Sequence, residues 1–126
     1  MKLEPNMYIR TKDGIIAKVD YIDDDTIFFD KELYKTYGDS INFLEKDNLE
    51  KIAKVSYNII DLIEVGDILE VFSDLHDLLG NEIFRIKDEK HLQHLKNGFD
   101  KGYFHLITVL TKEQFKQMSY KLEEMK

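Results

Sequence analysis

Alternating apolar and polar residues near the start of the chain predict three β-strands. The first two, residues 7–12 and 15–22, are joined by Asp13-Gly14. This pair suits a two-residue hairpin turn, because Gly has no Cβ and adopts a positive φ at little cost. Three adjacent aspartates at 23–25 predict a solvated turn. The β-branched and aromatic residues 26–29 predict the third strand.

The middle of the chain predicts short elements of both kinds. Residues 41–44 have the composition of a strand, and residues 48–54 fit either a helical turn or a strand. Asn58 is suited to cap a short helix that Gly66 would end. The β-rich run at 68–72 then predicts a strand.

Two further strands and a helix are predicted in the second half of the chain. The strands are residues 82–87 and 103–110. Asp88 is suited to cap the helix between them, and Gly98 is placed to end it.

The last predicted helix has the clearest starting signal. Thr111 and Gln114 have the Thr-x-x-Gln spacing of a capping box, and Leu110 and Phe115 stand where a hydrophobic staple would close over it. After this helix, residues 120–122 predict a short closing strand.

Together these elements predict an α+β fold: a small twisted antiparallel sheet or partly closed β-barrel, with two or three short helices packed on it. A chain of 126 residues is expected to form a single domain, 1–126. A domain of this size buries roughly two-thirds of the surface that its unfolded chain exposes, so it folds without covalent cross-links.

Composition excludes several classes of site. The chain has no Cys, which rules out disulfides and thiolate metal ligands. The N-terminus lacks the apolar run of a signal peptide, and no stretch approaches the roughly 20 apolar residues of a membrane span. We therefore expect a cytoplasmic protein that has no membrane partner.

Negative charge is concentrated in one stretch. The formal net charge is -7, and the segment between Lys54 and Arg85 contains seven carboxylates and no Lys or Arg. A local excess of charge creates a field that steers cationic partners, although a solvated rim is the alternative interpretation. The predicted partner-binding residues are Asp61, Glu64, Asp67, Glu70, Asp74 and Asp77.

The basic residues argue against direct binding of nucleic acid. They are 16 Lys and only 2 Arg, Arg10 and Arg85. Arg is the side chain that best matches guanine edges and phosphates through two parallel hydrogen bonds. An acidic protein with so little Arg is therefore a poor candidate for direct nucleic-acid binding. With the acidic stretch, the expected partner is a host protein that has a basic surface.

Three stretches resemble one family. They are residues 8–18 (YIRTKDGIIAK), 58–67 (NIIDLIEVGD) and 110–120 (LTKEQFKQMSY). This arrangement resembles a family of small uncharacterised proteins encoded by phages and prophages of low-GC Gram-positive bacteria. The resemblance implies an origin in a mobile genetic element, and it implies no catalytic or ligand-binding residue.

No catalytic residue, metal ligand or cofactor is predicted. His91, His94 and Asp88 share one side of the predicted helix, but no zinc-site spacing is present, so an exposed helix face is favoured. The aspartates at 23–25 lack the spacing and the Gly of a calcium loop.

Aromatic residues offer candidate contacts as well. Phe28 and Phe29 are adjacent and point to opposite faces of a strand, so one is expected in the core and the other exposed or at an interface. Tyr34 and Tyr37 fit either partner contacts or packing against the sheet edge.

The favoured hypothesis is a small acidic phage-type accessory protein that binds a host macromolecule and is not an enzyme. Its most concrete form is an inhibitor of a bacterial defence system, anti-CRISPR-like, whose acidic face blocks a basic nucleic-acid-binding surface. One alternative is a protein that binds a small ligand, such as a nucleotide signal, through Arg10, Arg85 or nearby Lys. Another is a homo-oligomeric structural or assembly component of a phage, for which a homodimer is the simplest form. An enzyme that uses a metal at His91 or His94 is the least favoured hypothesis.

Overall fold

An α+β fold made of antiparallel sheets and a few short helices is confirmed. The computed structural model describes residues 2–30, 40–73 and 80–124. The described chain forms two compact units: unit 1 contains residues 2–30 and 40–62, and unit 2 contains residues 63–73 and 80–124. The single domain expected over 1–126 stays a prediction.

The described residues form eight strands, two α-helices and two 3-10 helices, joined by turns and loops. They are β1 (Tyr8–Thr11), β2 (Ile16–Ile22), β3 (Thr26–Phe29), β4 (Phe43–Glu45), a 3-10 helix (Lys46–Lys51), β5 (Ile52–Ser56), a second 3-10 helix (Ile59–Leu62), β6 (Ile68–Ser73), β7 (Gly80–Arg85), α1 (Glu89–Asp100), β8 (Phe104–Leu110) and α2 (Lys112–Glu124).

Unit 1 contains a five-stranded antiparallel sheet with the order β4-β3-β2-β1-β5. Its first hairpin is confirmed, but the connection is one residue longer than predicted. The Thr11 N–H donates to the Ile15 carbonyl at 2.8 Å, which leaves a three-residue loop at 12–14. Gly14 has φ +89, as a three-residue hairpin loop that ends in the left-handed region requires.

The core of unit 1 lies against one face of this sheet. Strand alternation points the core residues inward from β1, β2, β3, β4 and β5. They are Ile9, Ala17, Val19, Ile27, Phe29, Leu44 and Ile52. We call the face opposite this cluster the outer face of the sheet.

The helix predicted after Asn58 is a single 3-10 turn, Ile59–Leu62. The Asn58 side chain caps it as predicted, because its Oδ1 accepts the Ile60 N–H at 3.1 Å. Gly66 lies four residues after this turn and adopts φ +97. It therefore forms the turn that leads into β6, and it does not end the helix directly.

Unit 2 contains a three-stranded antiparallel sheet with the order β7-β6-β8. Neither this sheet nor the five-stranded sheet closes into a barrel within the described residues. The buried residues Leu69, Val71 and Val109 lie on its strands. The buried residues of α1 are Leu92, Leu95 and Gly98. The apolar residues that the sequence places on one side of α1 are therefore the ones that are buried.

Helix α1 begins where predicted and ends later. The Asp88 Oδ1 accepts the His91 N–H at 2.8 Å, which caps the first turn. The prediction that Gly98 ends the helix is wrong, since α1 continues to Asp100. Gly98 is buried inside the helix, where a Cβ would overlap the ring of Phe104. Close packing therefore explains this glycine.

Helix α2 begins at the predicted capping box. The Thr111 Oγ1 accepts the Gln114 N–H at 3.3 Å, and both residues are buried. The closing strand predicted at 120–122 is wrong, because α2 continues to Glu124. Local β propensity at these positions is outweighed by continuation of a helix that is already nucleated and capped.

Candidate partner-binding surface

Two of the predicted partner-binding carboxylates are accessible in the described structure. Asp61 is exposed, and it accepts a hydrogen bond from the Ser56 hydroxyl at 2.6 Å. Glu70 is half-buried on β6, and it accepts hydrogen bonds from Asn81 Nδ2 at 3.4 Å and Thr108 Oγ1 at 3.3 Å. Asp61 belongs to unit 1 and Glu70 to unit 2.

Asp67 is an internal hydrogen-bond acceptor. It has 0% exposure, and its carboxylate accepts the backbone N–H of Glu64 at 2.8 Å and that of Lys112 at 3.0 Å. Glu64 is half-buried, and its carboxylate forms an ion pair with Lys112 Nζ at 2.9 Å. These two carboxylates therefore stabilise unit 2 internally, and Asp67 offers no charge to a partner.

Asp74 and Asp77, together with Tyr34 and Tyr37, lie outside the described residues. Of the predicted acidic set, the structure brings together only Glu64 and Asp67, and it does so through the Asp67 carboxylate and the Glu64 N–H. The described members therefore do not form a single acidic face within one unit.

An aromatic row crosses the outer face of the five-stranded sheet. It consists of Tyr21 on β2, Phe28 on β3 and Phe43 on β4, and each ring is paired with the next across the antiparallel strands. The Tyr21 and Phe28 rings stack with centroids 4.6 Å apart and an interplanar angle of 16°. Tyr21 is 52% exposed and Phe43 is 57% exposed, so both rings are open to a partner.

A β-bulge places Tyr21 on this face. Val19 is buried in the core, and strict alternation would also turn Tyr21 inward, two residues later. The register between β2 and β3 shifts between Val19 and Tyr21. The extra residue, Asp20, therefore turns Tyr21 outward and returns Ile22 to pack against the core.

Carboxylates flank the aromatic row. Glu45 lies two residues after the row on β4 and pairs with Thr26, about 7 Å further along the strand. Asp20 lies in the bulge, and the exposed aspartates at 23–25 form the turn between β2 and β3. Lys46 adds one positive charge beside Glu45. We call the aromatic row and these carboxylates the aromatic–acidic surface.

This surface is not visible as a unit in the amino-acid sequence. Alternation correctly separated Phe28 from Phe29, since Phe29 is 2% exposed in the core and Phe28 lies on the outer face. The alignment of three rings depends on strand register and on the bulge. Neither can be obtained from local spacing along the chain.

The two arginines proposed for a ligand pocket each contact another group of the protein. Arg10 is 1% exposed, and its Nη1 donates to the Leu62 carbonyl at 2.9 Å. The Arg85 guanidinium carbon lies 4.8 Å from the centroid of the Phe115 ring, in a cation–π contact. Arg10 therefore joins β1 to the second 3-10 helix.

The histidine pair of α1 has no metal-site geometry. Asp88 caps the helix, and His91 Nδ1 accepts the Lys87 N–H at 3.1 Å. Among residues 2–30, 40–73 and 80–124, no group of three or more His, Cys, Asp or Glu side chains is placed to hold a metal ion. Within the same residues, no helix is long and apolar enough to cross a membrane.

No protein-family model, curated protein or solved structure matches this chain. The resemblance of residues 8–18, 58–67 and 110–120 to phage and prophage proteins therefore stays a prediction. The aromatic–acidic surface is the most distinctive candidate site on unit 1.

Proposed function

We propose that the protein acts by binding a basic segment of another protein on the aromatic–acidic surface. The observation that supports this most directly is the aromatic row. Its two exposed rings, Tyr21 and Phe43, lie outside the core of unit 1. Exposed aromatic side chains are the residues that most often dominate binding energy at protein interfaces.

The chemistry of the surface favours arginine and lysine as the contacting groups. A guanidinium plane stacks on an aromatic ring, and a lysine stem packs on one while its ammonium reaches a carboxylate. Asp20, Glu45 and the aspartates at 23–25 supply such carboxylates beside the rings. The same carboxylates repel phosphate, so direct contact with a nucleic-acid backbone is disfavoured.

The wider role that we propose follows from the sequence resemblance. The protein would be a phage-type accessory protein that works in the host cytoplasm, without catalysis, as an inhibitor of a bacterial defence system. An anti-CRISPR-like inhibitor would occupy a basic groove that otherwise holds nucleic acid. Accessible carboxylates such as Asp61 and Glu70 would then raise the association rate through their long-range field.

The test uses an RNA-guided nuclease from a low-GC Gram-positive bacterium as the basic partner. The full chain is added to the nuclease, and DNA binding is followed by gel shift. We expect inhibition that weakens with rising ionic strength. The double variant Tyr21→Ala/Phe43→Ala is expected to inhibit at least about 30-fold less well, as loss of an interface hot spot of about 2 kcal/mol predicts.

The matched control is Tyr103→Ala, which removes another exposed aromatic ring, 44% exposed, from unit 2. It is expected to inhibit like the parent protein. Equal inhibition by the parent and the double variant would refute the role of the aromatic row. Light scattering that shows a dimer lost in the double variant would assign the surface to a second copy of this chain instead.

A further inference from the structure

A cleft in unit 2 combines basic and aromatic side chains. Its volume is about 570 Å³, within the range of roughly 300–1,000 Å³ that is typical of small-molecule sites. Among the described residues, its lining includes Glu82, Phe84, Arg85, Lys87, His91, His94 and Phe104. Phe84 and Phe104 supply aromatic rings, and the nitrogen-bearing side chains come from the end of β7, from Lys87 and from the first half of α1.

The second half of β7 contributes both charged and aromatic side chains to this cleft. Glu82, Phe84 and Arg85 all line it. The Arg85 guanidinium also lies over the Phe115 ring, 4.8 Å from the ring centroid, so one of its faces is already in contact with an aromatic ring. The polar side chains that line the cleft are therefore those of Glu82, Arg85, Lys87 and the two histidines of α1.

One hydrogen bond orients the His91 ring. Its Nδ1 accepts the backbone N–H of Lys87 at 3.1 Å, so Nδ1 carries no proton in this arrangement. The proton of the neutral imidazole is then on Nε2, which remains a hydrogen-bond donor. The ring also packs against Phe84, with centroids 5.5 Å apart. His91 is therefore fixed in place with its donor nitrogen available.

His94 and Lys87 extend this donor group. His94 lies one turn after His91, at the i, i+3 spacing that puts two side chains on the same side of a helix. Lys87 and His94 are both exposed, and both line the cleft. Lys87, His91 and His94 therefore add nitrogen donors to a cleft that also contains aromatic rings. This basic lining contrasts with the net charge of the chain, which is -7.

We propose that this cleft binds a small organic anion in which a phosphate or carboxylate is joined to a flat apolar group. Lys87, His91 and His94 hold the anionic group, and Phe84 and Phe104 contact the flat group. Glu82 disfavours additional negative charge at the rim, which limits the site to small anions. This site lies within unit 2 and is independent of the function proposed for the aromatic–acidic surface of unit 1.

The test is an NMR titration of the full chain that follows the imidazole signals of His91 and His94. Phenyl phosphate and benzoate are the two anionic probes, and the tighter of the two identifies the preferred anionic group. Phenol and inorganic phosphate each supply half of the proposed contacts. We expect both half-ligands to bind at least about tenfold more weakly than the better whole probe.

Three variants test the assignment of charge. Lys87→Ala is expected to weaken binding of the better probe about tenfold, because it removes a charge-assisted contact. Glu82→Gln is expected to strengthen binding about threefold, because it removes a like charge. The matched control Lys90→Ala removes an exposed lysine of α1 that does not line the cleft, and it is expected to change affinity less than about twofold.

Three results would overturn the proposal. One is that neither anionic probe perturbs the His91 and His94 signals at millimolar concentration. Another is that phenol binds as tightly as phenyl phosphate, which would leave no role for the anion. The third is that Lys90→Ala and Lys87→Ala weaken binding equally, which would mean that only the net charge matters. None of these results bears on nuclease inhibition through unit 1.

Discussion

The two units use aromatic side chains in opposite ways. In unit 1, Tyr21 and Phe43 lie on the open face of a sheet with carboxylates beside them. In unit 2, Phe84 and Phe104 are half-buried and line a cleft together with lysine and histidine. A flat surface suits an extended macromolecular partner, and a cleft suits a small ligand. The net charge of -7 therefore agrees with the surface of unit 1 but not with the basic lining of the cleft in unit 2.

Two aspartates, one in each unit, also differ in their surroundings. Asp61 in unit 1 is exposed and bonded to one hydroxyl, whereas Asp67 in unit 2 is buried and bonded to two backbone N–H groups. The two residues are close in sequence and identical in type. Their contributions to stability should differ strongly, because only a buried acceptor leaves unsatisfied donors behind when it is removed.

The largest expected effect is that of Asp67→Ala. It removes the acceptor for the N–H groups of Glu64 and Lys112, which we expect to lower the free energy of unfolding by about 3 kcal/mol. Asp67→Asn keeps one acceptor oxygen and should lose about half as much. Urea denaturation followed by circular dichroism gives the values.

Asp61→Ala is the matched control, since it changes the net charge by the same amount. It should change the free energy of unfolding by no more than about 0.5 kcal/mol, as expected for an exposed site. Similar losses for Asp61→Ala and Asp67→Ala would mean that charge, and not the buried hydrogen bonds, determines the effect.

The second effect concerns Gly98, where α1 packs closely on β8. In Gly98→Ala, the new Cβ would overlap the Phe104 ring, and overpacking costs about 1–3 kcal/mol. The higher helix propensity of Ala offsets about 1 kcal/mol of this cost. We therefore expect a net loss of about 1 kcal/mol in the free energy of unfolding, with displacement of the ring that lines the cleft.

Gly102→Ala separates packing from backbone strain. Gly102 has φ +77, and nothing lies within 4 Å of an added Cβ. We therefore expect Gly102→Ala to lower the free energy of unfolding by about 1 kcal/mol through backbone strain alone. Only Gly98→Ala should shift the NMR signals of Phe104 and the imidazoles of the cleft. Unchanged signals in Gly98→Ala would show that α1 moves as a whole and spares the ring.

The parts of the fold with local signals were predicted from the sequence. The hairpin between β1 and β2, strand β3, the Asp88 cap and the Thr111 box each depend on residues within a few positions of one another. The prediction that Gly98 ends α1 was wrong because this glycine makes room for the ring of Phe104, which belongs to the next strand. A local rule for glycine does not contain that information.

The candidate sites depend on contacts between distant residues. Asp67 follows a glycine and resembles a surface turn in the sequence, yet its partner Lys112 is 45 positions away. Charge spacing identified an acidic stretch without showing which carboxylates are buried. Similarly, Tyr21 joins the aromatic row only because a bulge interrupts the alternation of β2.

The third effect measures how far the aromatic row is preorganised. A double-mutant cycle with Tyr21→Ala and Phe28→Ala should give a coupling energy of about 0.5–1 kcal/mol, because the stacked rings are paired across two strands. Urea denaturation of the four proteins provides the values. A coupling indistinguishable from zero would mean that the two rings contribute independently to the free energy of unfolding and that their stacking does not preorganise the row.

The smallest expected effect comes from Lys112, which makes two contacts of different kinds. Its backbone N–H donates to Asp67, and its Nζ pairs with Glu64 at 2.9 Å. Lys112→Met keeps the first contact and removes the second. The Lys112 side chain is 47% exposed, so we expect a loss of about 0.5 kcal/mol or less, measured by urea denaturation.

Salt distinguishes the two contacts of Lys112. The difference between the parent protein and Lys112→Met should disappear in 1 M salt, where the screening length falls to about 3 Å. The loss caused by Asp67→Ala should persist there, because its hydrogen bonds are buried. If Lys112→Met lost as much stability as Asp67→Ala, the Glu64 ion pair would be the main connection between the turn at Gly66 and the start of α2. We expect instead that the buried carboxylate of Asp67 is the main connection between the turn at Gly66 and the start of α2.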